Sequence, residues 1–212
     1  MIKGALYVLT SVLLATLLVT ASAEAAPVLY PTGVDNSLNV LVGGSYDPHY
    51  TLALDNSVAP YPQAAVMSPS HYWGSWANPA GARWLYTADI GDSGARGNYI
   101  YRTSFDLTGY DPSTAQIAIT WAADQSGSIY LNNVYTGVSI GDFGNLHDFT
   151  INTGFKAGVN ELEFHVPFPD GYDGLLVSQI NVTASAVPLP ASLLLLGPGL
   201  AGLAAMKRRF KK

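Results

Sequence analysis

The chain has no cysteine among its 212 residues. Disulfides, thiolate metal sites and cysteine nucleophiles are excluded, so an exported domain would stand on its apolar core alone. Cations are scarce as well. Between residues 27 and 187 there are only Arg83, Arg96, Arg102 and Lys156, against 14 acids, for a net charge of −10. Nucleic acid is a poor partner for that surface, because phosphate binding needs clustered Lys and Arg. The charge suits soluble export, or contact with anionic polymers bridged by cations. A long helical period is also missing between the two apolar ends of the chain. What is abundant is aromatic: 13 Tyr, seven Phe and four Trp supply the large buried area that a core without disulfides requires.

The two ends carry the long apolar runs. Lys3, an apolar stretch from Ala5 to Val19 and then Ala21-Ser22-Ala23 have the three parts of a secretory signal peptide. Residues 1–23 are therefore expected to pass through the secretion translocon and to be removed by signal peptidase, after Ala23 or Ala25. At the other end, Leu189 to Met206 holds 18 residues without a charge. As helix this spans ~27 Å, close to the ~30 Å of a bilayer core. Lys207, Arg208, Arg209, Lys211 and Lys212 close it, which orients the C-terminus to the cytoplasm and everything before it outside.

Residues 24–186 read as one all-β domain. Short alternating runs are punctuated by Gly, Pro, Asn and Asp. Leu38–Val42 and Tyr50–Leu54 are expected strands. Residues 57–82 read as a long loop with a short strand near Ala64 to Met67. Tyr99, Tyr101, Thr103 and Phe105 share one face of a strand, and Ile117, Ile119 and Trp121 one face of the next. Ser128–Leu131 runs into Asn132-Asn133, a pair that tolerates the positive φ of a tight hairpin. Leu162, Phe164 and Val166 point one way while Glu161, Glu163 and His165 point the other, the pattern of a half-buried strand. Leu175–Thr183 is the final strand. Strands of this length and spacing predict a β-sandwich.

The tail resembles the PEP-CTERM sorting signal of Gram-negative bacteria. Val187-Pro188-Leu189-Pro190-Ala191 matches its Val-Pro-Leu-Pro-Ala variant, with Leu189 where the eponymous motif has an acid. Gly197 to Leu203 matches the Gly- and Leu-rich helix, and the basic cluster follows in order. The resemblance implies an exosortase partner, cleavage near the motif and transfer to the cell surface or extracellular matrix. A second resemblance spans residues 95–185. Trp121 to Asn133 and Phe155 to Leu162 are similar to the central strands of galactose-binding-domain-like jelly rolls. It implies a jelly-roll sandwich of a kind that often binds carbohydrate, and transfers no binding residue.

Several motifs bear on chemistry. Gly91-Asp92-Ser93-Gly94 copies the nucleophile tetrapeptide of trypsin-like proteases, but no matching histidine signature lies upstream, so it reads as a turn. His49, His71, His147 and His165 form no metal-binding spacing. Turn aspartates, with Asp89, Asp92 and Asp124 as candidates, supply the hard oxygens that a structural Ca²⁺ takes, and they are also ordinary turn formers. Tyr72, Trp73, Trp76 and Trp84 lie close together in sequence, and exposed indoles stack on the C–H faces of sugar rings. The alternative is that these rings cap one end of the sandwich. Glycosidase chemistry needs two carboxylates on opposite sides of one bond, and the only glutamates of the domain core, Glu161 and Glu163, sit side by side on one strand. The expectation is a non-catalytic, exported envelope protein that contacts extracellular polysaccharide. The alternatives are a structural matrix protein without a ligand and a glycan-active hydrolase.

Overall fold

The computed structural model describes residues 27–54, 63–68, 74–86, 97–124, 126–168 and 174–188, with Gly199 and Gly202. Ten strands account for most of these: β1 (Tyr46–Leu54), β2 (Gln63–Val66), β3 (Leu85–Tyr86), β4 (Gly97–Asp106), β5 (Tyr110–Ala123), β6 (Gly127–Leu131), β7 (Val134–Ile140), β8 (His147–Ile151), β9 (Val159–Phe168) and β10 (Leu175–Ala186). They hydrogen-bond in the order β7-β6-β9-β4-β1-β2-β3-β10-β5-β8. The sheet wraps until its two ends, β7 and β8, approach each other, giving a nearly closed antiparallel sandwich. The chain divides into two compact units, residues 26–185 and a second made of 1–25 with 186–212. The second unit lies almost wholly outside the described residues, and with it both apolar ends and most of the sorting motif. Among the described residues no helix is long and apolar enough to cross a membrane.

One layer is β6-β9-β4 and the other β10-β5-β8, and the alternating residues between them form the core. Tyr101, Leu162, Phe164, Val166 and Ile129 meet Ile117, Ile119, Trp121, Leu175 and Val177, all almost fully buried. The rings set the spacing: Phe164 lies 5.5 Å from Trp121 and 6.4 Å from Tyr50, centroid to centroid, with tilted planes. The inward sets anticipated from the alternation in β4, β5 and β9 are the ones that pack here.

Asn132 and Asn133 both take positive φ, 53° and 66°, and turn β6 into β7 as their residue type anticipates. Asn132 then braces the turn, its amide donating to Gly154 O and to Asn160 Oδ1 at 2.9 Å each.

The expected strand at Leu38–Val42 is not formed. Only an isolated bridge joins Val34 to Val40. The Asp35 carboxylate takes the backbone N–H groups of Ser37 and Asn39 at 2.8 and 2.9 Å, and Leu38 N–H goes to Asp35 O. These local bonds outcompete a ladder. They hold Leu38 in the left-handed region, φ 64°, with its side chain exposed. The sequence alternation there comes from a folded lip, not a strand. β1 also starts earlier than expected, at Tyr46.

Candidate functional site

Strands β5, β8 and β10 turn their second set of side chains outward. The register pairs Ala118 with Thr150 and Thr120 with Asp148. Ser178 of β10 donates its hydroxyl to Thr120 O at 3.2 Å, which places it beside the same pair. These side chains are short, and the alternation that buries Ile117, Ile119 and Trp121 leaves them on the opposite face. The result is a groove of about 660 Å³ floored by Ala118, Thr120, Asp148, Thr150 and Ser178.

The wall of the groove is the N-terminal segment, and hydrogen bonds fix it. Thr32 N–H donates to Val177 O at 3.0 Å, and Val177 N–H donates to the Thr32 hydroxyl at 3.0 Å. Buried Asp47 accepts from Gly33 N–H at 2.6 Å and from His49 N–H at 2.7 Å. Burial pushes the Asp47 carboxyl up, and those amide bonds work against the rise. Leu29, Pro31 and the Asp35-capped lip with Leu38 thus line one side. Asp35 is held below its ordinary value, foremost by its bonds with Asn39. Leu38, Pro31 and Ile180 add apolar surface to a lining otherwise rich in hydroxyl, amide and carboxylate groups. Small concave sites that pair apolar area with a few placed polar groups are the usual ligand pattern.

The outer face of the opposite sheet is built differently. Arg102 of β4 lies across from Glu163 of β9, and its Nε donates to Glu163 Oε1 at 2.6 Å. His165 Nε2 lies 2.9 Å from Glu163 Oε2, and the His165 ring stacks on Tyr130 of β6 at 4.1 Å. The His165 bond holds the Glu163 carboxyl down at about 2, with Arg102 adding to it and burial opposing. Glu161 moves the other way, raised by burial and by the neighbouring Glu163 charge. Glu163 was expected to point to solvent, but it is 2% exposed. Its partners make that burial tolerable. Two carboxylates on one strand, with one committed to Arg102 and His165, do not flank a bond from opposite sides.

The aromatic residues singled out from the sequence divide. Tyr72 and Trp73 lie outside the described residues. Trp84 is fully buried and donates its Nε1–H to Ala77 O at 2.7 Å. Trp76 packs on it at 4.5 Å and on Phe143 at 6.2 Å, in a second core cluster with Met67, Ala82, Ala122 and Leu176. Gly174 lies directly against both indoles, and a Cβ there would meet Trp84 at 2.9 Å. Trp76 and Trp84 therefore cap one end of the sandwich and offer no open face for a sugar ring. The reason is packing: an end without disulfides is closed by its largest rings.

Asp89 and Asp92 fall outside the described residues, as does the Gly-Asp-Ser-Gly turn. Asp124 is buried, its N–H bonded to Gly174 O and its carbonyl accepting from Ser126. Among the described residues no three His, Asp or Glu side chains gather as a metal site. His147 bonds Asp142 at 3.1 Å, and His49 stacks on Tyr30 at 3.6 Å. The groove itself was missed from sequence. Its floor comes from three strands far apart in the chain and from small residues that form no motif.

No family model and no curated protein matches the chain. Among solved structures it is similar to CBM35 from Paenibacillus barcinonensis, at 16% identity and TM-score 0.38 over 65% of this chain and 94% of that one. It is similar to TmCBM61 in complex with β-1,4-galactotriose at 10% identity and TM-score 0.42, over 67% and 92% of the two chains. It is also similar to the CBM36-1 domain of a multidomain xylanase from the hindgut metagenome of Trinervitermes trinervoides, at 15% identity and TM-score 0.33, over 65% and 99%. Identities of this order leave the ligand to be read from the chain's own side chains.

Proposed function

We propose that this chain is a non-catalytic, exported envelope protein whose jelly-roll sandwich binds extracellular polysaccharide in the groove over β10, β5 and β8. The groove is the observation that carries the reading. It is open and large enough for sugar rings, with hydroxyl and carboxylate groups of Thr120, Asp148, Thr150 and Ser178 on its floor and apolar surface from Leu38 and Pro31 at its side. Sugars present the same mixture, with hydroxyls at the ring edge and C–H groups on its faces. The site is preorganised, since the wall is tied to β10 through Thr32 and to Asp47 through Gly33, and rigid sites lose less free energy on binding.

The test is polysaccharide pull-down and a glycan array with the full chain kept in detergent. Ala118→Trp puts an indole on the exposed floor and should abolish binding while the far-ultraviolet spectrum stays that of a β protein. Binding that survives Ala118→Trp but is lost on Trp73→Ala would move the site to the aromatic loop. Binding of no glycan at all would favour the structural matrix protein.

Delivery rests on the two ends. The Lys3–Ala23 segment supports export, and Val187 to Lys212 supports recognition by an exosortase. Pro188 and Pro190 lack a backbone N–H and bias the residues before them to extended conformations, a form that a membrane enzyme grips as a strand. Mass spectrometry of surface material should find the tail missing only in cells that carry the exosortase. Protein ending at Lys212 with and without the enzyme would overturn this part. Pro188→Ala combined with Pro190→Ala should leave the uncleaved form in the inner membrane.

A further inference from the structure

Among the described residues, Asp148 is the one ionisable side chain lining the groove. Thr120 fixes it: the hydroxyl donates to Asp148 Oδ1 at 2.6 Å across the β5–β8 register. None of the described residues donates a hydrogen bond to Oδ2, and the Asp148 side chain is exposed on the groove floor. No Lys, Arg or His among the described residues lines the groove to neutralise it. The surrounding domain does not supply the missing charge either, since residues 27–187 carry four cations against 14 acids. A polyanion entering here would meet a like charge without screening by a neighbouring cation. A cationic group would find an aimed carboxylate with one oxygen pinned and the other free.

Resting on the reading of the groove as a glycan site, we infer that its ligand is a polysaccharide carrying free amino groups, whose ammonium pairs with Asp148 Oδ2. The hydroxyls of Thr120, Thr150 and Ser178 then serve the ring hydroxyls, and the apolar side takes the ring faces. An N–H donor that bears the charge makes a shorter and stronger bond to a carboxylate than a neutral hydroxyl does. The pairing therefore sets selectivity between a free amine and its acetylated form, while the neutral contacts set the baseline affinity. Charge also guides the approach: an acidic domain attracts a polycation over distances of about 10 Å at ordinary salt.

The probe is a glucosamine hexamer, compared with its fully N-acetylated counterpart and with a galacturonate oligomer. Binding to the full chain in detergent is measured by calorimetry in mildly acidic buffer, where the amines are charged. The glucosamine hexamer should bind roughly three- to fivefold tighter than the acetylated one, as expected for one ion pair at an exposed carboxylate. The galacturonate should bind weakest. Asp148→Asn should erase the gap between amine and acetyl forms. Equal affinities for the two hexamers in the native chain, or a gap that persists in Asp148→Asn, would overturn the inference. If some glycan binds and Ala118→Trp abolishes it, the groove reading stands while the amine preference falls. If no glycan tested binds, or if Ala118→Trp leaves all binding unchanged, the groove reading fails first and takes the inference with it.

Discussion

The outer faces of the two layers start from the same strand alternation and reach opposite ends. On β6-β9-β4 the middle of the outward face is taken by long charged and aromatic residues that satisfy one another: Arg102 with Glu163, Glu163 with His165, His165 on Tyr130. On β10-β5-β8 the outward residues are short, and they leave about 660 Å³ between the floor and a wall formed by the N-terminal segment. A sheet face becomes a site when its side chains are too small to cover it and a neighbouring segment stands beside it without filling it. The closed face contributes to stability and offers little to a ligand. The open face contributes little to stability and can be altered at small cost to the fold.

The widest break in that contrast comes from the core the two faces share. Phe164 is fully buried between Tyr50 and Trp121. Phe164→Ala should cost roughly 3–5 kcal/mol in urea unfolding, and would weaken both faces together. On the closed face, Glu163→Gln leaves Arg102 and His165 without their shared carboxylate. The expected loss is about 2–3 kcal/mol, below the full cost of breaking a buried pair because His165 remains partly exposed. Glycan binding in the groove should not change. A larger effect on binding than on stability would contradict the division between the faces.

The same carboxylate makes the contrast depend on pH. The Glu163 pKa lies at about 2, below its ordinary value of 4.5, so its contribution is present above pH 4.5 and is lost as pH falls through 2. Asp142, held at about 2 chiefly by Asn145 and His147, acts in the same direction. Asp47 and Glu161, raised by burial, oppose them. Stability should fall between pH 4.5 and 2, and Glu163→Gln should flatten part of that fall. The smallest expected effect is on the open face, where Ala118→Trp should shift stability by no more than about 0.5 kcal/mol, because the position is exposed.

Period-two patterning made the sandwich legible wherever one face is buried and the other is not. β4, β5 and β9 follow it, and the two asparagines after Leu131 announced their turn. Where local side-chain bonds override the ladder, the same pattern misled. Leu38, Val40 and Val42 alternate like a strand, but the Asp35 carboxylate has already taken the amide groups a ladder would use. The aromatic loop drew attention because tryptophans are conspicuous, and Trp76 and Trp84 proved to be core. Ala118, Thr150 and Ser178 are unremarkable in sequence, and only register brings them together. Concavity is a tertiary property built from what side chains lack.

The near-closure of the sheet has a consequence for crowding. Open strand edges template pairing with other copies, a hazard for any protein packed densely at a surface. Here the terminal strands are the seven-residue β7, whose pairing with β6 is irregular between Ser128 and Tyr130, and the five-residue β8, and the two approach each other. Irregular pairing twists an edge away from partners, and a short edge gives them little to grip. Copies held close together would meet few free strand edges, and strand exchange between them would be disfavoured.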